Sequence, residues 1–491
     1  MGPVSGRCTS SDNNFTRQSG PWRRRDDGKR LDLVFASWIV ATTFALVGML
    51  EAENIVLWAL IALSLPGAVI LIGGRRAPAV ILLNLGLFWA SIYCSLLSLY
   101  LAGRSQEITS DETRAIAYSL VALLALALGF RMGYREPVLW AVEGGARSRL
   151  RIGKVFCAYL VAEALNTLLT GVAFQIPSLT QPILAVTVLK LLALYILCSE
   201  CLVQRRARAL IVAALAIELT TGATNFIASY QPSFVVVLAA ILDSAGGRFS
   251  LSKLFAAGIV LTAFFGASVF WTAIKPEYRT WMATTDSALT EGIFNRLAWM
   301  SGRFEKEIDF NAATIKLAER IGYTQLYSLA MPRLDANNFQ HSPYWVDAVE
   351  SVLMPRALFP GKPIEDDTRV TTEMTGVNFS SATSVSIGYV AEAQADFGIP
   401  GMFGEIIMIG YGLARFAGYL TKAKISLVGR QAFVAAALAY KFFYQANIDK
   451  AFATFVLQAL ALLLFLRFGY SLLESWFAAE AGRPPIPRSA K

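Results

Sequence analysis

Residues 79–102 read AVILLNLGLFWASIYCSLLSLYLA, twenty-four positions without a charged side chain. A helix of about twenty such residues, rising ~1.5 Å at each, crosses the ~30 Å hydrocarbon core of a bilayer. Comparable blocks lie on both sides. They run roughly 31–50, 55–73, 115–130, 153–174, 183–203, 209–221, 226–243 and 254–274, and then, beyond a long hydrophilic stretch, 400–421, 430–448 and 451–470. Together these blocks predict an all-α polytopic membrane protein of about twelve spans. The stretch 209–243 is the ambiguous one. Its 35 residues hold either two short helices joined near Thr221-Gly222-Ala223-Thr224-Asn225 or one helix and a re-entrant piece.

Composition agrees. Of 491 residues, 55% are apolar and 16% charged, and the mean hydropathy is +0.50. A soluble chain carries charge on about a quarter of its residues. A soluble enzyme, a disulfide scaffold and a disordered chain are thereby excluded, which leaves transporters, channels and enzymes acting on lipid-linked substrates. Cys94, Cys157, Cys198 and Cys201 fall in apolar blocks and Cys8 in the N-terminal tail, so the hydrophilic stretch holds no disulfide framework. The single histidine, His341, excludes HExxH zinc sites and multi-histidine metal centres. No cofactor is called for, and no basic, aromatic-bearing module points to nucleic acid.

The net charge of +9 is unevenly spread. Residues 275–399 carry 11 basic and 16 acidic side chains, a net of −5, against 33 basic and 19 acidic elsewhere, a net of +14. Cationic residues in short loops mark the cytoplasmic side. With the N-terminal tail inside, Arg75-Arg76, Arg131 to Arg151, Arg205 to Arg208, Arg248/Lys253, Lys422 to Arg430 and the C-terminal cations all fall inside. The outside segments are then 51–54, 103–114, 175–181, the 275–399 loop and a short turn at Asn447. The expected organisation is a basic cytoplasmic tail (1–30, too late in its apolar onset for a signal peptide), nine spans (31–274), a periplasmic loop (275–399), three spans (400–470) and a cytoplasmic tail (471–491).

The loop is too rich in aromatics to be a linker. One helix capped by Thr285 or Asp286 carries Leu289, Ile293, Leu297 and Met300; a second runs from Asp309 or Asn311 to Gly322; a third starts at Pro343 and stops before Pro355. Amphipathic helices beside a bilayer either pack together or lie on the lipid, and packing as a lid over a cavity is the favoured arrangement. No internal repeat supports an inverted-repeat transporter.

The most distinctive stretch is Met354-Pro355-Arg356-Ala357-Leu358-Phe359-Pro360-Gly361-Lys362-Pro363, in which prolines restrict a loop bearing two cations six residues apart. Arg supplies bidentate hydrogen bonds and Lys a compact charge, a pair suited to pyrophosphate. The alternative is an ordinary turn with solvated charges. A Ser/Thr-rich run follows over 379–386, then Gly388-Tyr389-Val390-Ala391-Glu392-Ala393-Gln394-Ala395-Asp396-Phe397-Gly398. This segment of about 45 residues, with the many spans and one large late loop, resembles the bacterial Wzy-type polysaccharide polymerases, the O-antigen or oligosaccharide repeat unit polymerases.

The resemblance implies a GT-C-like architecture in the inner membrane and a metal-independent glycosyl transfer. A glycan on undecaprenyl pyrophosphate would pass to a new lipid-linked repeat unit, with a chain-length regulator and a flippase as candidate partners. Arg356 and Lys362 match the family's cationic motif and are the first choices to hold the leaving pyrophosphate, with Arg356 also a catalytic candidate. Arg279 and Arg303, further cations of the same loop outside the motif, are additional candidates to bind the substrate pyrophosphate. Glu392 and Asp396, spaced i, i+4 on a helix ending at Gly398, are candidates for the general base, set against a solvated or helix-capping acidic face. Glu365-Asp366-Asp367 reads as a solvated turn rather than a cation site. His341 is the residue an O-antigen ligase, a relative of the same layout, would use; a structural role at a helix start is the commoner one. Within the spans, Glu163, Glu218 and Glu405 are candidates to line a cavity, and Lys190 and Glu218 to pair across helices. The same residues would equally serve a transporter of lipid-linked glycan or small solute.

Overall fold

A computed structural model describes residues 31–49, 54–73, 77–135, 150–175, 180–225, 231–244, 248–249, 251–284, 293–303, 309–336, 343–354, 359, 367–379, 385–439 and 447–478. The described residues are helical almost throughout. The first part comprises α1 (Leu33–Met49), α2 (Ile55–Leu71), α3 (Ala79–Leu101), α4 (Ser110–Gly133), α5 (Ile152–Gln175), α6 (Thr180–Val186), α7 (Val188–Gln204), α8 (Ala209–Asn225), α9 (Gln231–Ser244) and α10 (Leu251–Thr284). The hydrophilic stretch supplies α11 (Ile293–Ser301), α12 (Phe310–Ile321), α13 (Thr324–Asp335), α14 (Tyr344–Leu353) and α15 (Asp367–Thr375). The chain continues through α16 (Tyr389–Thr421), α17 (Leu427–Leu438), α18 (Ile448–Phe468) and α19 (Tyr470–Phe477). Two-residue strands at Leu31–Asp32 and Arg248–Phe249 pair antiparallel.

Each apolar block of the sequence has a helix over its described residues, with 183–203 divided between α6 and α7, while 226–230 and 440–446 lie outside the described residues. The ambiguous 209–243 stretch forms two helices, α8 and α9. Among the described residues, five helices are long and apolar enough to cross a membrane: Ala79–Leu101, Ser110–Gly133, Ile152–Thr170, Tyr389–Thr421 and Ala451–Phe468. Others, such as Ile55–Leu71, Gln231–Ser244 and Leu427–Leu438, are apolar but shorter. Helices suit a bilayer because they satisfy their own backbone hydrogen bonds.

Helix α16 packs against α4 more extensively than any other described pair. The contact is made at glycines. A Cβ on Gly129 would stand 2.0 Å from the Ile407 carbonyl oxygen, and one on Gly410 2.4 Å from that of Leu126. Gly129 and Gly133 form a GxxxG spacing, which lets membrane helices approach backbone to backbone. Helix α16 itself breaks at Gly398, whose φ of 65° and ψ of −178° no helix accommodates, with Pro400 two residues on. Its first nine residues therefore belong to the loop side of the break and the remainder to the bundle.

Among the described residues, several of the segments read from charge as lying outside meet at one end of the bundle. Arg114 at the start of α4 makes a bidentate pair with Asp335 of α13, 2.7 and 2.9 Å. Thr324 N donates to Ser95 Oγ and Gln325 Nε2 to Ser98 Oγ on α3, at 3.2 and 2.7 Å. Asn447 bonds to Asp367 of α15. Segments read as inside gather at the other end: Arg151 N donates to Phe477 O, Gln204 Nε2 to Leu150 O and Ser426 N to Glu474 Oε1.

Two of the three predicted loop helices appear near their expected bounds. Asp309 caps α12 through Ala312 N at 2.9 Å, and Pro343 precedes α14. The third is described only over α11. Helices α13 and α15 carried no distinct sequence signal. The α12–α13 turn descends beside α3: a Cβ on Gly322 would meet Ser95 Cα at 2.7 Å. Ser95 lies six residues, about 9 Å of helix rise, before the end of α3. The loop thus inserts a helical hairpin among the bundle helices.

Candidate functional site

Where the loop meets the bundle, α15, α16 and the N-terminus of α18 enclose a buried polar cluster. Glu392, 2% exposed, accepts from Ile448 N at 2.7 Å, one of the donors an α-helix leaves unsatisfied at its start. The preceding residue, Asn447, accepts through Oδ1 from Ser386 Oγ and from Gly388 N, and donates through Nδ2 to Asp367 Oδ1 at 3.3 Å. Thr371 Oγ1 donates to Val385 O at 2.8 Å, and Val385 N donates to Thr368 Oγ1 at 3.3 Å, which ties α15 to the strap that leads into α16.

One turn beyond Glu392, Asp396 caps a different helix. Its two carboxylate oxygens accept from Tyr344 N and Trp345 N at 3.0 and 3.1 Å, at the start of α14. A negative group at a helix N-terminus is favoured by the exposed N–H groups and by the helix dipole. Burial, followed by the nearby Glu392, Glu373 and Asp396 carboxylates, pushes the Tyr344 phenol above its usual range. Tyr327 of α13 donates its hydroxyl to Gln394 Oε1 on the same turn. Past the Gly398 break, Glu405 is buried, and its Oε2 has no hydrogen-bond partner among the described residues. The three acids Glu392, Asp396 and Glu405 therefore descend along α16 from the loop into the bundle.

Arg356, Lys362 and His341 lie outside the described residues. Their flanks are informative. Met354 ends α14, whose start Asp396 caps, and Asp367 opens α15 against Asn447. The described elements that precede and follow the Pro-Arg…Lys-Pro stretch in the chain, α14 and α15, are thus each bonded to residues around Glu392. Of that stretch Met354 and Phe359 are described, and both are exposed.

Arg303 belongs to another part of the loop. It pairs with Glu277 at 2.6 Å, lies 4.5 Å from the Trp299 ring centre, and borders a cleft of about 210 Å³ lined also by Asp309 and Lys316. Its neighbours are α10, α11 and α12, not the elements around Glu392. Arg279 lies on α10, and nothing of its side chain is described.

A second polar cluster lies inside the bundle. Lys190 Nζ is 3.0 Å from Glu163 Oε2 and 2.9 Å from Glu218 Oε2. Thr221 Oγ1 donates to Glu163 Oε1 at 2.9 Å, Ser233 Oγ to Glu218 Oε2 at 2.6 Å, and Tyr159 OH lies 3.1 Å from Glu218 Oε1. Lys190 follows the α6–α7 break at Thr187 and borders an apolar cleft of about 370 Å³ between α5, α7, α18 and α19. The Lys190–Glu218 pairing expected from the sequence is present, and Glu163 joins it. Sequence reasoning did not single out Tyr159, Thr221, Ser233, Asn447, Ser386 or Tyr344. Their types are ordinary for helix surfaces and turns, and only the tertiary fold shows which polar groups they satisfy.

Among the described residues no group of His, Cys, Asp and Glu is arranged to hold a metal ion. No protein-family model, no curated protein and no solved structure matches the chain.

Proposed function

We propose that this chain is an integral membrane glycosyltransferase of the GT-C-like kind. It polymerises undecaprenyl-pyrophosphate-linked oligosaccharide repeat units into O-antigen, capsule or exopolysaccharide at the periplasmic face of the inner membrane. On this reading the apolar helices make about twelve spans, both termini are cytoplasmic, and the 275–399 loop faces the periplasm. The observation that carries the proposal is the buried cluster of Glu392 and Asn447, to which α14 and α15, the helices flanking the Pro-Arg…Lys-Pro stretch in the sequence, are both bonded.

The chemistry follows from that juxtaposition. The attacking sugar hydroxyl gives its proton to Glu392 as its oxygen bonds to the anomeric carbon, and the bond from that carbon to the pyrophosphate oxygen breaks. Arg356 and Lys362 stabilise the negative charge that gathers on the departing undecaprenyl pyrophosphate. Asp396 sets the position of α14, from which the cationic stretch leaves. Glu405 lies further into the bundle on the same helix. Arg303 and Arg279 are proposed as further cations for the pyrophosphate-bearing substrate. A chain-length regulator and a flippase are the partners this role requires.

The test is a gel of lipid-linked glycans from cells carrying Arg356→Ala or Glu392→Gln. Loss of the ladder to a single repeat supports the polymerase. An unchanged ladder in both overturns it. Ligation instead of polymerisation would show as loss of glycan transfer to a lipid A-type acceptor in His341→Ala, with the ladder intact. A second reading, a transporter, is favoured by the Glu163–Lys190–Glu218 cluster beside a helix break. It predicts that Glu218→Gln stops solute movement while Arg356→Ala does not.

A further inference from the structure

Helix α14 is apolar on both sides. Of its ten residues, YWVDAVESVL, only Asp347 and Glu350 carry charge. Tyr344 and Ala348 are buried and face the protein, and Trp345 meets Phe452 of α18 edge to face with ring centres 5.3 Å apart. The opposite side presents Val346, Val349 and Leu353, spaced i, i+3, i+7, with Leu353 70% exposed. Met354, Phe359 and Phe397 are exposed apolar side chains close to it in sequence or through the Asp396 cap. An exposed apolar row on a helix whose other side is packed against the protein marks a contact surface.

The depth of α14 identifies the cover. Phe452 lies one turn inside the start of α18, whose stretch Ala451–Phe468 is apolar enough to cross a membrane. Asp396, which caps α14, stands two residues before the Gly398 break from which α16 continues as a bundle helix. Both anchors therefore hold α14 at the level where apolar helices enter the bilayer. The exposed row of Val346, Val349 and Leu353 is on the side of α14 that also exposes Glu350.

We propose that α14 is an interfacial helix whose Val346–Val349–Leu353 face rests in the acyl-chain boundary of the outer leaflet, the occupant being the lipid bilayer itself. Arg356 follows Leu353 by three residues, at most about 10 Å of extended chain. The lipid contact does not depend on the enzymatic reading.

The test uses the full-length protein in liposomes, with the native cysteines replaced and single nitroxide labels at Val346→Cys, Val349→Cys and Leu353→Cys, plus Glu319→Cys on the exposed face of α12 as the aqueous reference. Collision rates with oxygen and with a water-soluble nickel chelate are compared. Labels on α14 should favour oxygen at least several-fold more than the Glu319 label does. A ratio equal to the reference at both Val349 and Leu353 overturns the proposal. So does spin–spin broadening between labels of neighbouring molecules, which would assign the face to a second copy of the chain. Leu353, at the end of the helix, remains informative if a label at Val349 prevents folding.

Discussion

Lys190 Nζ lies 2.9 Å from Glu218 Oε2, and the same ammonium lies 3.0 Å from Glu163 Oε2, so one cation serves two buried carboxylates. Both acids are nearly inaccessible, and Lys190 is 11% exposed at its side chain. Lys190→Met leaves two carboxylates facing one another without a counter-ion, and removing one partner of a buried pair costs about 3–5 kcal/mol. The thermal midpoint in detergent should fall steeply. Adding Glu163→Gln and Glu218→Gln to Lys190→Met should restore most of the loss. An equal loss in the triple variant would place the cost in the packing of the lysine stem instead.

The Arg114–Asp335 pair behaves differently because both side chains are partly in water, 35% and 44% exposed. The hydrogen bond from Arg114, more than its charge, holds the Asp335 carboxyl below its ordinary 3.8. A depressed carboxylate adds stability that is complete above its unfolded value and lost as pH falls through the folded one. The contribution should therefore be present at pH 5 and above, and fade only below ~3.8. Screening by solvent keeps it at or under about 1 kcal/mol. Asp335→Asn should loosen the end of α13 by that amount at neutral pH and by nothing at the acid limit. Limited proteolysis after residue 335, compared at two pH values and at low and high salt, checks the sign.

Much of this was legible in the sequence. The apolar blocks placed the helices of the bundle, and the cations sorted their connections into two groups that the fold collects at opposite ends. Asp309, Gly322 and Pro343 marked helix ends because capping is local chemistry. Glu392 and Asp396 could be put on one helix by spacing alone, but which groups they serve could not, since Ile448 is 56 residues from Glu392 and Tyr344 is 52 from Asp396. The capping alternative for these acids describes a contact both of them make. The α12–α13 hairpin beside α3 was also invisible, because it depends on Gly322 meeting Ser95 across 227 positions of sequence, and no local pattern records that approach.

The α4–α16 contact is a steric prediction. At Gly410 the nearest atoms are backbone of α4, which cannot rotate away, whereas a methyl group placed on Gly404 or Gly412 of the same helix would meet nothing within 4 Å. Gly410→Leu should therefore cost more than the usual 1–3 kcal/mol of overpacking and abolish monodisperse protein. Gly404→Leu and Gly412→Leu should stay within about 0.5 kcal/mol of the native chain. Size-exclusion profiles of the three variants in one detergent decide the matter. Equal behaviour would mean that α16 can slide on α4.

Glu392 carries two separable roles, and two substitutions divide them. Glu392→Gln keeps a side-chain oxygen to accept from Ile448 N, so the start of α18 should remain capped and the melting midpoint nearly unchanged. Glu392→Ala leaves that buried N–H without its acceptor, a loss of about 1–3 kcal/mol. If Glu392 takes the proton in glycosyl transfer, both variants should lose activity by about 10²–10⁴-fold, because the amide cannot act as a base. Polymerisation rates in isolated membranes, read beside the two melting curves, distinguish the cases. Activity lost only in Glu392→Ala, in step with stability, would make Glu392 a cap for α18 and move the search for the base to Asp396.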